Sequence, residues 1–474
     1  MEIRTQTREE KRKTNWKRFL MHNSYGLGGF LDNFTTSAFS IRVYHFYENV
    51  LNIPGAYVAI AIIIYGIFNM LNDPFAGWLS DRPYKWIRRL GRRFPWYIGA
   101  SIPFALSYLI IFTVPPLNAL GMFFWLLGTI CLFDMLFSLW QLNWLALFPV
   151  KFRTQEERTR VGASTTIWGI IGTVLGILVP PMIVGDYENV FGFILQGIFV
   201  AAVAVGIALL IIPGMREDEA TKQRQWELIQ EEQVLKKEGK KESYWNSLLF
   251  SLKQKNFMSY IIFFLGHMVM TSLMLGSLPF WIEDILDSTN AEIETYVSAA
   301  LLIGVILSVP IWTWVARKLG NRKAFILGGL ASTVWLFEFF FFADNLISGI
   351  IITFFLGISI SAMWTLMYPG LSDVLDEIAV KTGKRNEGIF VGIRTFFGRF
   401  AIVIQAVAIG VIHNITGYDP ELPATLIVQW GVRIHMSLVP ALFYLLGTIL
   451  MICMYNLTKE KVEDIKKELS RLNL

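Results

Sequence analysis

Cysteine and histidine are scarce in this sequence, which has two cysteines and five histidines among its 474 residues. Cys131 and Cys453 lie far apart in separate apolar blocks, so they indicate neither a disulfide framework nor a metal cluster. The sequence also lacks a glycine-rich phosphate loop, a His-Glu-x-x-His motif and a nucleophile elbow. These absences argue against an enzyme and against a bound cofactor.

Charged residues are few as well, at 17% of the chain, whereas hydrophobic residues make up 54%. The apolar residues come in blocks of about twenty, the length that crosses the ~30 Å hydrocarbon core of a bilayer. The sequence therefore predicts an all-α membrane protein with twelve transmembrane helices. The predicted spans are 24–48, 54–80, 94–116, 119–149, 161–185, 190–214, 256–285, 293–316, 322–343, 346–372, 387–416 and 431–457.

Lysine and arginine are missing from every second connector between these spans. Of the 42 basic residues, 38 lie in the two tails and in the alternate connectors, beginning with the 81–93 loop. Because basic loops stay in the cytoplasm, both termini are predicted to be cytoplasmic, in a multi-pass protein of the cell (plasma) membrane. This topology accounts for the net charge of +5 without a nucleic-acid partner.

A weak internal repeat divides the chain into two parts. Pro74 to Trp78 and Pro310 to Trp314 share the spacing Pro-x-x-x-Trp, each at the end of the second span of a six-span set. The repeat predicts two six-helix pseudo-symmetric halves, as in two-halved transporters. The predicted divisions are a cytoplasmic N-tail at 1–23, halves at 24–214 and 256–457, a cytoplasmic linker at 215–255 and a cytoplasmic C-tail at 458–474.

Two polar side chains interrupt the second span near its end. Asn69 and Asp73 are four residues apart, so their oxygens lie on one helical face. An ionisable group costs roughly 2.5–3.5 kcal/mol at the centre of a span on insertion scales, which makes Asp73 a candidate functional residue. The alternative is an aspartate at a helix end that orients the following loop, because Pro74 comes next.

Arg399 lies twelve residues inside the eleventh span. Because a guanidinium cannot lose its proton in a protein, Arg399 must meet an anion, carbonyl oxygens or water. The available carboxylates are Asp73, Asp32 and Asp134, which favours a charge-balanced site between the two halves. The alternative is a purely structural clamp between the halves.

The first and fourth spans carry further polar residues. Asp134 and Gln141 are seven residues apart on one face, and they fit either an interhelical hydrogen-bond patch or a solute contact. Asp32 and Arg42 are ten residues apart, too far for a pair within one helix, so each needs a partner elsewhere. His267, deep in a span, is interpreted as a core histidine rather than a proton relay.

The tenth and eleventh spans contribute charges near their cytoplasmic ends. Asp373 and Asp376 precede Lys381 and fit a salt-bridge gate or an exposed ion pair. Arg394 lies in the eleventh span, before Arg399. We therefore predict gating or charge-pair roles for Asp134, Arg394, Asp373 and Asp376.

At these residues the chain resembles the glycoside–pentoside–hexuronide:cation symporter family, the melibiose-permease branch of the major facilitator superfamily. The resemblance covers nearly all of residues 24–457. The residues that carry it are Tyr25-Gly26-x-Gly28, Asn72-Asp73-Pro74-x-x-Gly77-Trp78, Gly91-Arg92-Arg93-Phe94-Pro95-Trp96, Asp373-x-x-Asp376 and Glu387 at the start of the eleventh span.

The resemblance implies the major facilitator fold and cation-coupled uptake by alternating access. Asp73 falls on the second of the family's two helix-two acids, so it is predicted to bind Na⁺ or H⁺. Asn69 replaces the first acid and becomes a neutral helper. A neutral Asn beside one Asp still fits Na⁺, but it favours coupling to H⁺ through a single carboxyl group.

Other positions depart from the sugar permeases of that family. Gln141 falls where those permeases carry another acid, Asn33 falls on the sugar-binding Asp with Asp32 displaced by one residue, and Arg399 falls on a lysine. The residues predicted to contact the solute or to reset the empty carrier are Asp32, Asn33, Gln141 and Arg399.

The expected function is secondary active transport, namely H⁺- or Na⁺-coupled symport of a sugar, glycoside or related organic solute. The expected partners are that small solute and the lipid bilayer, with no nucleic acid and no obligate protein partner. The alternatives are an uncoupled carrier or lysolipid carrier of the same fold, since some relatives carry lysolipids, and a non-transporting receptor or scaffold.

Overall fold

The computed structural model describes residues 8–80, 82, 84, 86–152, 154–223, 226–227, 253–382 and 387–472. The predicted linker at 215–255 falls largely outside these residues. Within them the secondary structure is helical, apart from one isolated β-bridge between Asp186 and Asn290.

Twelve long helices follow one another in the described part of the chain. The first half comprises α1 (Arg8–His45), α2 (Gly55–Ser80), α3 (Phe94–Phe112), α4 (Ala119–Lys151), α5 (Gln155–Val184) and α6 (Val190–Met215). The second half comprises α7 (Lys255–Asp284), α8 (Glu292–Leu319), α9 (Asn321–Phe342), α10 (Leu346–Thr382), α11 (Glu387–Thr416) and α12 (Leu426–Cys453). A terminal helix, α13 (Lys459–Leu472), follows.

Eleven of the described helices, α2 to α12, are long and apolar enough to cross a membrane. The remaining long helix, α1, carries Asp32 and Arg42 in its apolar part, yet Leu31, Phe34 and Ala38 on it are fully buried in the bundle. The chain is therefore a multi-pass membrane protein. The helices agree with the predicted spans, except that α1 begins earlier and α10 runs to Thr382, so that Asp373 and Asp376 lie inside a helix.

The packing of the helices repeats between the halves. In the first half α1 packs on α5 and α6, α4 packs on α2 and α3, and α3 packs on α6. In the second half α7 packs on α11 and α12, α10 packs on α8 and α9, and α9 packs on α12. Each contact of the first half is thus reproduced six helices later. The halves meet through α1 with α7, α2 with α11 and α5 with α8.

Close approach of α1 and α5 depends on glycine. A Cβ atom at Gly172 would lie 2.6 Å from the backbone oxygen of Phe30, and one at Gly176 would lie 2.4 Å from that of Phe34. Because the clashing atoms belong to the backbone, they cannot move aside as a flexible side chain would. Small residues let membrane helices pack this closely, where the hydrophobic effect does not drive association.

Gly172→Ala is therefore expected to separate α1 from α5 and to lower the free energy of unfolding by about 1–3 kcal/mol, the usual range for overpacking. Thermal unfolding of the purified protein in detergent measures this. The matched control is Gly162→Ala on the same helix, because no atom lies within 4 Å of a Cβ at that position. Equal melting temperatures for the two variants would contradict the packing account.

The two ends of the bundle differ in how the halves are joined. We call the end that carries the connectors 81–93, 150–160 and 317–323 the basic end. At the opposite end, polar groups of the two halves bond directly, as in the 2.8 Å pair between Arg42 on α1 and Glu294 on α8. Backbone bonds add to this, since Ala291 donates to the Gly185 carbonyl over 2.9 Å. The halves are therefore closed against each other at the opposite end.

Candidate functional site

A salt bridge joins the two halves inside the bundle. Arg399 on α11 places Nη2 2.5 Å from Asp73 Oδ2 on α2, and the two side chains are only 15% and 21% exposed. The guanidinium also donates from Nη1 to the backbone carbonyl of Asn69. The partners of Arg399 are therefore the Asp73 carboxylate and the Asn69 carbonyl, both in the first half.

The pattern of α2 explains why Asp73 faces inward. Leu71, Phe75 and Trp78 on this helix are between 48% and 65% exposed in the bundle, so they form the surface that faces lipid. Asn69 and Asn72 lie on the other side and are buried. Asn69, Asn72 and Asp73 thus turn toward α4 and α11, where they find polar partners.

Asp134 on α4 completes the polar cluster. Its Oδ1 accepts a hydrogen bond from the Asn69 amide, and its Oδ2 accepts one of 2.9 Å from the Asn72 amide. Ser138, one turn further along α4, donates to Asp73 Oδ1 over 2.6 Å. An ionised carboxylate is an acceptor only, so the bonds to Asp134 suit its charged form. We call Asn69, Asn72, Asp73, Asp134, Ser138 and Arg399 the central cluster.

The central cluster has spare acceptors. The side-chain oxygens of Asn69 and Asn72 are buried and have no hydrogen-bond partner within the described residues. Leaving a buried polar atom without a hydrogen-bond partner costs roughly 1–3 kcal/mol of folding stability, so such atoms call for an explanation. With Asp73 and Asp134 both ionised, the single guanidinium leaves the cluster one negative charge in excess.

A cavity of about 220 Å³ adjoins the central cluster between the halves. Its polar lining consists of Asn69, Asp134 and Arg399 of the central cluster, together with Thr36, Ser272 and Gln405. The remaining lining is largely apolar and consists of Phe39, Val43, Tyr44, Ile62, Tyr65, Ile130, Phe133, Phe137 and Ile402. The cavity therefore combines an ionic pair with a broad apolar surface.

The other residues predicted to contact solute lie outside this cavity lining. Gln141 Nε2 donates to Asp32 Oδ1 over 2.7 Å, so these two residues form an interhelical pair between α4 and α1. Asn33 is exposed and donates to the Gly29 carbonyl of its own helix over 2.9 Å. The structure thus brings Asp32 and Gln141 together and leaves Asn33 apart from them.

Of the four residues predicted as gates or charge pairs, Asp134 belongs to the central cluster, and the other three lie within the second half. Arg394 stacks against aromatic rings, with its guanidinium carbon 4.9 Å from the Phe264 centroid and 5.3 Å from that of Tyr368. Asp373 is buried and accepts a 2.6 Å bond from Asn321. Asp376 is half-buried one turn away. These contacts of Arg394 and Asp373 hold α7, α9, α10 and α11 together rather than joining the two halves.

Sequence reasoning missed several of the polar partners. Ser138 and Asn72 carry no charge, and only the contact between α2 and α4 gives them a role. His267 is buried, and so are His45, His413 and His435, which the sequence did not single out. His267 itself lies 3.4 Å from the Tyr444 hydroxyl, and Arg42 pairs with Glu294.

Two repeated six-helix halves with an ionic cluster and a cavity at their interface define a membrane transporter. The family comparison gives the class a name. The profile of the MFS/sugar transport protein family matches residues 24–459, so the chain belongs to that family. This confirms the resemblance drawn from the motifs.

Individual relatives are distant but cover most of the chain. A protein of Xenopus tropicalis named sodium-dependent lysophosphatidylcholine symporter 1 is 24% identical over 94% of this chain and 88% of its own length. The isoprimeverose transporter of Lactiplantibacillus pentosus is 23% identical over 83% of this chain and 80% of its own length. A crystal structure of a D-xylose-proton symporter has a TM-score of 0.66 at 14% identity, covering 94% and 98% of the two chains, and shows the fold alone.

Proposed function

We propose that the protein is a Na⁺-coupled symporter that moves an amphipathic organic solute by alternating access. The observation that carries this proposal is the central cluster, in which two carboxylates and one guanidinium meet beside two unbonded amide oxygens at the junction of the halves. The basic end faces the cytoplasm of the cell in this proposal, as the distribution of Lys and Arg requires.

The choice of Na⁺ over H⁺ follows from the oxygen atoms of the cluster. A proton needs one carboxyl oxygen, whereas a metal cation is held by several oxygens at once, including amide carbonyls. The unbonded oxygens of Asn69 and Asn72 come next to two carboxylates, Asp73 and Asp134. One monovalent cation there cancels the excess negative charge. The Xenopus relative is sodium-dependent by name, which agrees with this choice.

The Arg399–Asp73 bridge supplies the coupling. In the empty carrier the guanidinium cancels the charge of Asp73, and the remaining charge, on Asp134, keeps its hydrogen bonds to Asn69 and Asn72. When Na⁺ binds to Asp73 and Asp134, it competes with the guanidinium for the same carboxylate. Arg399 then turns to the solute, whose polar head replaces Asp73 as its partner. Cation and solute therefore bind together.

The cavity supports an amphipathic solute. Sugars bind through many hydrogen-bond partners, but nine of the fifteen lining residues here are Phe, Ile, Val or Tyr, and the charged ones are Asp134 and Arg399. Burying apolar surface of a solute against such walls makes the free energy of binding more favourable by roughly 25 cal/mol for each Å². An anionic or zwitterionic head at Arg399 and an apolar tail along the Phe133 side satisfy both parts of the cavity.

A stability screen tests the proposal. The purified protein is melted in detergent with lysophosphatidylcholine, a free fatty acid, isoprimeverose or xylose, each with Na⁺ or with choline as the cation. Bound ligand stabilises by RT ln(1 + [L]/Kd), about 2.7 kcal/mol at a hundredfold excess over Kd. We expect stabilisation by an acyl-chain solute that is larger in Na⁺ than in choline. Stabilisation by a sugar and not by an acyl-chain solute would show that the proposed solute class is wrong. Equal stabilisation in Na⁺ and in choline would refute Na⁺ coupling.

A further inference from the structure

Two exposed tryptophans each carry a cation at the basic end of the bundle. The guanidinium carbon of Arg82 lies 3.6 Å from the centroid of the Trp78 ring, and Lys318 Nζ lies 5.1 Å from the centroid of the Trp314 ring. Both distances are within the roughly 6 Å over which the face of an aromatic ring attracts a cation. Because Trp78 and Trp314 are 54% and 60% exposed, the bundle does not cover either pair.

The two pairs occupy equivalent places in the two halves. Each belongs to one copy of the internal repeat, and in each the cation follows the tryptophan by four positions. On α8 the side chains of Leu307 and Ile311 are exposed before the tryptophan, as those of Leu71 and Phe75 are on α2. Each tryptophan therefore ends a strip of apolar side chains that faces lipid.

Both cations have donors left for an anion. Within the described residues, neither Arg82 nor Lys318 takes part in an ion pair. A guanidinium that lies on a ring keeps the N–H groups at its edge for oxygen ligands, and an ammonium keeps its three donors. Arg433 differs, since it lies 5.5 Å from the Trp430 centroid at the opposite end but is already paired with Asp344.

The position of the pairs identifies the anion. Tryptophan rings lie at the level of the lipid headgroups, where one end of the ring is apolar and the other is wet. The distribution of Lys and Arg places the basic end in the cytoplasm, and the cytoplasmic leaflet is the one that carries anionic lipids. The oxyanion within reach of a cation at this level is therefore the phosphate of a phospholipid.

We propose that Trp78 with Arg82, and Trp314 with Lys318, form two binding sites for the headgroups of anionic phospholipids, one site on each half. In each site the cation donates to phosphate oxygens, and the acyl chains lie along the apolar strip that precedes the tryptophan. The inference does not rest on the proposed solute or on the proposed coupling cation.

Both sites lie on helices that join the halves. The first is at the end of α2, which contacts α11, and the second is at the end of α8, which contacts α5. The bound lipids are thus attached to helices that move against the other half when the carrier changes state. Anionic lipid is therefore held next to two of the contacts on which alternating access depends.

The cost of losing one cation follows from its interaction with the anionic surface. One Lys or Arg close to such a surface changes binding by about fivefold, and a charge-assisted hydrogen bond to phosphate adds to this. Arg82→Gln and Lys318→Gln are therefore each expected to weaken one lipid site by at least about fivefold. The double variant is expected to weaken both sites.

Native mass spectrometry counts the phospholipids that each chain retains. The purified protein is titrated in a neutral detergent with phosphatidylglycerol or, in parallel, with zwitterionic phosphatidylcholine. We expect the wild type to retain two more molecules of phosphatidylglycerol than the double variant, and each single variant to lose one. A lipid held in the cavity at Arg399 stays in every variant, so these differences report the two surface sites alone.

Two controls separate these sites from surface charge and from cation–tryptophan pairs in general. Arg216→Gln removes an exposed charge near the basic end, and Arg433→Gln removes a cation that lies over a ring at the opposite end. Both should retain as much phosphatidylglycerol as the wild type, and melting temperatures without lipid confirm that every variant is folded. Equal retention by the double variant and the wild type, an equal loss in Arg216→Gln, or equal retention of phosphatidylcholine by the wild type would each overturn the proposal.

Discussion

Asp73→Asn is expected to abolish concentrative uptake by proteoliposomes under an imposed Na⁺ gradient and membrane potential. One cation moved through 100 mV supplies ~2.3 kcal/mol, which drives about fiftyfold accumulation of a neutral or zwitterionic solute. Without the carboxylate the cation has lost its main ligand. The accumulation ratio is therefore expected to fall to about one, measured with a labelled solute chosen by the stability screen.

The loss of coupling must be separated from a loss of folding. Asp73→Asn leaves the guanidinium of Arg399 without its carboxylate, and breaking one side of a buried ion pair is destabilising. The double variant Asp73→Asn/Arg399→Gln removes both charges, so it should regain thermal stability but not accumulation. Asp344→Asn is the matched control, since Asp344 is 64% exposed and pairs with Arg433 away from the cavity. Full accumulation by Asp73→Asn would refute the assignment.

Arg399→Gln is expected to slow net uptake of solute far more than it slows the exchange of solute across the membrane. The empty central cluster of this variant carries Asp73 and Asp134 without a cation, so its return across the membrane exposes uncompensated charge. At roughly 2.5–3.5 kcal/mol for a charge inside a span, the return step slows about a hundredfold. Loaded with Na⁺, the variant cluster carries the same single negative charge as the empty wild-type cluster, so exchange of labelled for unlabelled solute continues when the solute concentration is high enough to offset the lost contact with the solute head.

Measuring net uptake and counterflow on the same vesicles distinguishes these steps. The control is Arg216→Gln, at an exposed position near the basic end, which should leave both rates unchanged. Equal losses of exchange and net uptake in Arg399→Gln would assign Arg399 to solute binding alone. Unchanged net uptake would remove Arg399 from the transport cycle.

The sequence predicts the number and order of the helices because lipid imposes a simple rule on it. Apolar blocks of about twenty residues must be helices in a bilayer, and basic connectors mark one side. The repeat of Pro74 and Trp78 at Pro310 and Trp314 indicates the two halves, and the packing of α1 to α6 is reproduced by α7 to α12. The end of α10 was missed because Asp373 and Asp376 interrupt its apolar pattern while the helix continues.

Only part of the candidate site can be predicted from the sequence, because its charged residues are easier to recognise in an apolar span than its uncharged ones. Charges stand out in an apolar span, which drew attention to Asp73, Asp134 and Arg399. Asn72 and Ser138 carry no charge, so they appear as partners only when α2 packs on α4. The helical period places Asp134 and Gln141 on one face of α4. It does not indicate that Gln141 bonds to Asp32 while Asp134 belongs to the central cluster.

The contact between Glu48 and His413 was beyond sequence reasoning for a related cause. Glu48 lies in a π-helical turn after α1, and His413 lies near the end of α11, both outside the centres of their spans. Near a span end, a charged side chain usually reaches the interface, so position alone indicates nothing. The two side chains meet only because the fold brings together residues that lie 365 positions apart in the chain.

Equilibrium binding of radiolabelled Na⁺ to the purified protein tests the central claim most directly, because it requires neither the solute nor a membrane. The account predicts saturable binding of a single Na⁺ per chain that is lost in Asp73→Asn and kept in Asp344→Asn. Absence of saturable Na⁺ binding in the wild type, or equal binding by Asp73→Asn, would contradict it.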